Sequence, residues 1–379
     1  MIPISKPYIT KDEAQAAYDT ILTGWITQGP RVAEFEEKFA RYTGSRYAVA
    51  VSNCTTGLHL AMIMAGVGPG DEVICPSMSY IATANSIMYV DAIPVFAEVD
   101  PVTYNLDVAD VEKRISSKTK AILLVHQIGL PGDIDAFKTL CKKHNLRLIE
   151  DAACAVGSAY HGRKIGSHSD LVCFSFHPRK VISTGDGGMI TTNREDYYQR
   201  LKLLRQHGMS VNDRVRHESK TIVFEDHLEV AYNYRLTDIQ AAVGIKQLEK
   251  LDWIISKRKE IAHQYLDALK DIDCIRLPRE YENVIFNWQS FSIYLRKHCP
   301  INRNDLMQKM LDEGISTRRG IMTAHREIAY QEECKNVRLP ICEDACDRSI
   351  IIPLFVPMED DEIKKVIASF RKHILRKSE

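Results

Sequence analysis

Residues 146–192 read LRLIEDAACAVGSAYHGRKIGSHSDLVCFSFHPRKVISTGDGGMITT. Two short, mostly apolar runs, Leu146–Asp151 and Leu171–Phe176, each give way to polar and turn-forming residues. Short apolar runs without strict alternation suit strands covered on both faces. A third run, Met189–Thr192, follows Gly185-Asp186-Gly187-Gly188, whose glycines allow a tight backbone turn. Working outward, further strands are expected at Tyr47–Val51, Glu72–Cys75, Ile93–Glu98 and Ala121–His126. Helix-length stretches lie between them: Thr56–Ala65, Ile81–Asp91, Val108–Ile115 and Asp135–His144. Alternation of strand and helix implies an α/β fold, with a mostly parallel seven-stranded sheet between helices.

The pattern changes after about residue 240. A long helical stretch, Thr237–Leu269, precedes a strand-like Phe291–Leu295 and helices at Asn302–Glu313 and Asp360–Leu375. The expected organisation is a large α/β domain over 1–245 and a smaller α+β domain over 246–379. The stretch Lys11–Thr43 reads as helical and belongs to the first. A length of 379 residues is enough for such units and a sizeable core.

Lys+Arg and Asp+Glu number 50 each, so net charge is zero, against a role in nonspecific nucleic-acid binding. No apolar run approaches the roughly 20 residues of a membrane helix, and the N-terminal MIPISKPYITKDEAQ has no signal core. The expected location is therefore the cytoplasm. Ten cysteines are scattered without a C-x-x-C pair. Cys342 and Cys346 have no histidine pair beside them, so no metal is expected.

Ligands of open parallel sheets bind beyond the carboxyl ends of the strands. After Val51 come Ser52-Asn53-Cys54-Thr55-Thr56-Gly57, hydroxyls and amides at a helix start. They make an anion site or simply cap the helix. Asp151 ends a strand, where a carboxylate either caps a helix or faces a cationic ligand nitrogen. Lys180 follows LVCFSF and precedes the glycine-rich turn. A desolvated lysine can lose its proton and attack a carbonyl to form an imine. His126 ends another strand, a position that suits a hydrogen-bonded core histidine as well as a catalyst. An imine-forming lysine, a carboxylate and an anion cradle are what pyridoxal 5'-phosphate requires.

The chain resembles the DegT/DnrJ/EryC1/StrS sugar-nucleotide aminotransferases over nearly its whole length. The segments that carry the resemblance include GWITQGPRVAEFEEKFA, SNCTTGLHLAM, GPGDEVICPSMSYIATANSI, VHQIGLPGDIDAF, FSFHPRKVISTGDGGMITT and AYNYRLTDIQAAVG, in that order. The resemblance implies the fold-type I pyridoxal-phosphate aminotransferase architecture. It implies Lys180 as the lysine of the internal aldimine and Asp151 as the partner of the pyridinium nitrogen. Thr55, Thr56 and Ser175 would hold the phosphate, and Tyr80 would stack on the ring. Asn233 would reach the phosphate from a neighbouring subunit, which makes the enzyme a homodimer with shared sites. Trp25 and Thr27 would border the sugar-nucleotide site, with His126 in the V-H-x-x-G segment also assigned to substrate. Cys154 stands where the family usually has a glutamine near the phenolic oxygen of the cofactor. The stretch STRRGIMTAH departs from the family pattern; there Arg318, Arg319 and His325 either meet a substrate diphosphate or face solvent.

The implied reaction moves an amino group from L-glutamate to a 3- or 4-keto sugar linked to a nucleotide, in two half-reactions. Relatives that dehydrate deoxysugars carry histidine in place of the lysine, so Lys180 favours transamination. Transfer to a cyclitol ketone uses the same machinery. A pyridoxal-phosphate-binding regulatory protein would not need the amine. A nicotinamide enzyme is disfavoured because GVGPGD at Gly66–Asp71 lacks the G-x-G-x-x-G spacing and lies between a helix and a strand.

Overall fold

The computed structural model describes residues 1–211 and 220–375. Strands of the large sheet begin with β1 (Tyr47–Val51), β2 (Glu72–Pro76), β3 (Ile93–Ala97), β4 (Thr119–Val125) and β5 (Arg147–Asp151). The two-residue strands β6 (Ala159–Tyr160) and β7 (Arg163–Lys164) intervene before β8 (Val172–Ser175) and β9 (Gly188–Thr192). The sheet has seven strands in the order β1-β9-β8-β5-β4-β2-β3. Pairs from β8 through β3 are parallel, while β9 runs antiparallel to both β8 and β1. Six strands therefore point the same way, and their carboxyl ends share one edge.

All seven expected strands form, with ends displaced by a residue or two. Their apolar character has the anticipated cause: Ala48–Val51, Ala121–Leu124 and Val172–Phe174 are fully or nearly fully buried. The helix Cys54–Met64 is buried almost all round, including Leu58, Leu60, Ala61 and Met62.

Two helices replace the single expected stretch Lys11–Thr43: Lys11–Leu22 and Pro30–Thr43. The chain breaks at Gly24, whose φ of +75° is left-handed, and restarts at Pro30, which suits a first helical position. The restart is capped from afar. The buried Asp238 carboxylate accepts from the amides of Gly29 (2.7 Å), Val32 (2.9 Å) and Arg31 (3.0 Å).

Further along are β10 (Ile275–Arg276), β11 (Val284–Ile285), β12 (Phe291–Leu295), β13 (Arg318–Arg319) and β14 (Ser349–Ile352). Four of them form an antiparallel sheet in the order β10-β12-β14-β13, and β11 pairs with β6 instead. The helix Arg303–Asp312 packs beside this second sheet, and Asp360–Ile374 packs on that helix and on the helix Asp238–Leu269. Residue 245, the expected boundary, falls inside the unbroken helix Asp238–Leu269. The first residues also cross over: the Ile2 amide donates to Gly314 O (2.8 Å) and Ser316 N to Ile2 O (2.9 Å). The long helix and the first residues of the chain thus join the two units.

Candidate active site

The shared carboxyl edge of the large sheet opens into a cavity of about 820 Å³. Asp151, the last residue of β5, lines it. Its neighbour Glu150 does not, because successive strand side chains point to opposite faces. Asp151 is buried, and both carboxylate oxygens are held. Oδ1 accepts from Ala153 N (3.1 Å) and Oδ2 from the Thr83 hydroxyl (2.9 Å). Burial nonetheless pushes this carboxyl above the usual aspartate range; those two bonds and the Lys180 charge only partly offset it. An acid in this condition gains from a cation placed against it.

Lys180 enters the cavity from the turn after β8, where its backbone N–H closes onto His177 O (2.8 Å). Its Nζ donates to Cys154 Sγ at 3.1 Å. Burial does lower this amine, but the charge and hydrogen bond of Cys154, followed by the Asp151 charge, raise it net above the ordinary lysine value.

Thr55 and Thr56, at the start of the helix Cys54–Met64, line the cavity with Ser175 from the end of β8. Asn53 Oδ1 caps the helix through Thr56 N (2.9 Å). The start of β9 passes so close to this turn that only glycine fits at position 188. A Cβ there would meet the Asn53 carbonyl carbon at 2.5 Å and Cys54 N at 2.8 Å. Tyr80 also lines the cavity and is 64% exposed.

Two of the expected residues lie off the cavity. His126 is fully buried and does not line the cavity. Its Nδ1 accepts from Gly132 N (3.1 Å), so Nε2 carries the proton and faces Glu150 Oε2 at 2.8 Å. His325 is likewise buried and off the cavity, bonded to the Ser77 hydroxyl and, through Nε2, to Glu343 Oε1 (3.1 Å). Burial holds its imidazole below the usual range, and a neutral ring is a poor partner for a diphosphate. Arg318 and Arg319, exposed on β13, do line the cavity; Arg319 also pairs with Glu327 (3.2 Å).

Trp25, Thr27 and Asn233 do not line the cavity of their own chain. They sit on one connected patch. Thr27 O accepts from Asp238 N (2.9 Å), Gln28 Nε2 donates to Gln206 Oε1 (2.8 Å), and Gln206 bridges to Asn233. Sequence reasoning missed Thr83, the hydroxyl that fixes Asp151. It lies inside the quoted segment SYIATAN, four residues after Ser79, to which it is bonded at 2.7 Å. Asn287 was also missed: its Nδ2 clamps the carbonyls of Cys154 (2.8 Å) and Val156 (2.9 Å) from the far side of the chain.

The sequence model of the DegT/DnrJ/EryC1/StrS aminotransferase family matches residues 7–371. The chain belongs to this family. It is a pyridoxal-phosphate-dependent aminotransferase. Among its relatives, the spore coat polysaccharide biosynthesis protein SpsC of Bacillus subtilis is 35% identical over 374 residues, covering 98% of this chain and 96% of SpsC. The sugar aminotransferase Spr1654 of Streptococcus pneumoniae, solved in its PMP form and described as putative, superposes with a TM-score of 0.92 at 27% identity, covering 98% of each chain. S. venezuelae DesV, solved with a ketimine intermediate, gives a TM-score of 0.89 at 32% identity, covering 97% of this chain and 95% of DesV. These likenesses span both sheets, so the family fold extends over the second unit as well as the first.

Proposed function

We propose that this aminotransferase moves an amino group from L-glutamate to a 3- or 4-keto sugar linked to a nucleotide. One observation carries the chemistry: the Lys180 amine and the under-compensated Asp151 carboxylate converge on a single cavity. The donors there suit pyridoxal 5'-phosphate. Asp151 would hold the ring nitrogen positive, Thr55, Thr56 and Ser175 would take the phosphate, and Tyr80 would cover a ring face. When bound, the cofactor supplies an electron sink beside the carbon that loses its proton. Lys180 would carry that proton from one carbon to the next, as base and then acid. Cys154 would stand beside this lysine rather than bond strongly to the cofactor, since a thiol is a weak hydrogen-bonding group.

The sugar-nucleotide part of the proposal is supported by SpsC, whose name places it in polysaccharide biosynthesis, and by Arg318 and Arg319 on the cavity wall. Guanidinium groups suit a diphosphate. The patch that joins Trp25, Thr27 and Asn233 supports a homodimer in which each chain completes its neighbour's site. The same reading places the enzyme in the cytoplasm with its nucleotide-linked substrate. The test supplies glutamate with nucleotide-linked keto sugars or with free keto-cyclitols, and follows 2-oxoglutarate release. Turnover is expected only with the nucleotide-linked acceptors. In Arg318→Ala the KM for that acceptor is expected to rise about ten-fold or more, with the glutamate half-reaction unchanged. Equal turnover of a free cyclitol ketone overturns the assignment.

A further inference from the structure

Lysine carries a compact charge on a flexible four-carbon stem. A lysine that must move a proton between two atoms needs something to hold its amine near both. Asp151 lines the same cavity, but it bonds Ala153 N (3.1 Å) and the Thr83 hydroxyl (2.9 Å) and makes no hydrogen bond with this amine among the described residues. Among the described residues, the amine of Lys180 makes one side-chain hydrogen bond, to Cys154 Sγ at 3.1 Å.

Cys154 is suited to that task by its backbone. It follows Asp151 in the turn Ala152–Ala155, closed by Ala155 N donating to Ala152 O (2.9 Å). Its carbonyl is clamped by Asn287 Nδ2 at 2.8 Å. Gly129, at a left-handed φ of +99°, lets the chain approach: a Cβ there would lie 3.0 Å from Cys154 O and 1.9 Å from Asn287 Oδ1. The backbone that carries this sulfur is thus held by the turn and at its carbonyl. The sulfur also differs from the other thiol on the cavity wall. Cys54 is buried, and its thiol is pushed well above the usual range, whereas the Cys154 side chain is only half-buried and meets the amine directly.

We propose that Cys154 is the positioning residue for Lys180: its sulfur is the dock at which the amine rests whenever it is not bonded to a carbonyl. This rests on the assignment of Lys180 as the amine that bonds the cofactor. A sulfur is a weak acceptor, so the dock localises the amine without holding it as tightly as a carboxylate would.

The test uses the full chain freed of cofactor, as wild type, Cys154→Ala and Cys154→Ser, and follows capture of added pyridoxal phosphate by absorbance across a range of pH. In Cys154→Ala the midpoint of the capture profile is expected to move to lower pH, because the group that raises the amine is gone. The limiting capture rate on the alkaline side is expected to fall about five-fold, the value of one modest hydrogen bond. Cys154→Ser, which keeps a hydrogen-bonding atom, restores part of both. Profiles of Cys154→Ala and wild type that superimpose in midpoint and limiting rate overturn the dock while leaving Lys180 as the capturing amine. Failure of the wild type itself to capture the cofactor overturns both assignments.

Discussion

Replacing His126 with alanine separates a structural histidine from a substrate-binding one. In the structure His126 and Glu150 are both fully buried and joined at 2.8 Å. The other carboxylate oxygen, Glu150 Oε1, has no hydrogen-bond partner among the described residues. Ser169 is near enough to lower the carboxyl but makes no bond of ordinary geometry with it. Burial pushes the Glu150 carboxyl up, yet the hydrogen bond from His126 Nε2 brings it net below the usual glutamate range. Removing the imidazole leaves a buried carboxylate without its main donor, a loss of about 3–5 kcal/mol. The pH dependence has a definite sign. A depressed carboxyl contributes stability above the ordinary glutamate range and loses it as pH falls through the folded value. In His126→Ala the undonated carboxyl rises instead, so the variant regains stability on protonation. Urea unfolding should therefore show the widest gap between wild type and variant at about pH 8, narrowing toward about pH 5. A loss under about 1 kcal/mol at both pH values, together with a raised KM for the acceptor, would refute this and return His126 to the substrate.

Asp151→Asn should abolish most turnover, by a factor of about 10²–10³. In the cofactor-free protein it should raise the melting temperature at neutral pH. Asp151 is a carboxyl raised by burial, so it costs stability above the ordinary aspartate range, and the gain should vanish as pH falls to about 4. Gly188→Ala forces a Cβ within 2.5 Å of the Asn53 backbone. It should cost about 1–3 kcal/mol in strain, read calorimetrically as weaker pyridoxal phosphate binding; unchanged affinity would show that the turn yields.

The large sheet was legible because its strands are buried on both faces and so appear as apolar runs, from Tyr47–Val51 to Gly188–Thr192. Asp151 and Lys180 were legible because strand ends and glycine-rich turns mark the edge where ligands bind. What stayed hidden depends on contacts between distant residues. The break between Leu22 and Pro30 is fixed by Asp238, more than 200 positions away. His126 read as a site residue through the resemblance of its V-H-x-x-G segment, and His325 through the basic cluster around it. Their partners, Glu150 at 2.8 Å and Glu343 at 3.1 Å, come from other elements. Burial alone would lower the Lys180 amine; the sulfur of Cys154, 26 residues earlier in the chain, reverses the sign.

The central claim is that one amine, on Lys180, forms the covalent bond to the cofactor. Reduction of the pyridoxal-phosphate-loaded enzyme with borohydride, followed by digestion and mass spectrometry, tests it directly. The cofactor should be found fixed on the peptide that contains Lys180 and on no other, and Lys180→Ala should carry none. A label on a different lysine, or an equally labelled Lys180→Ala, would contradict the account.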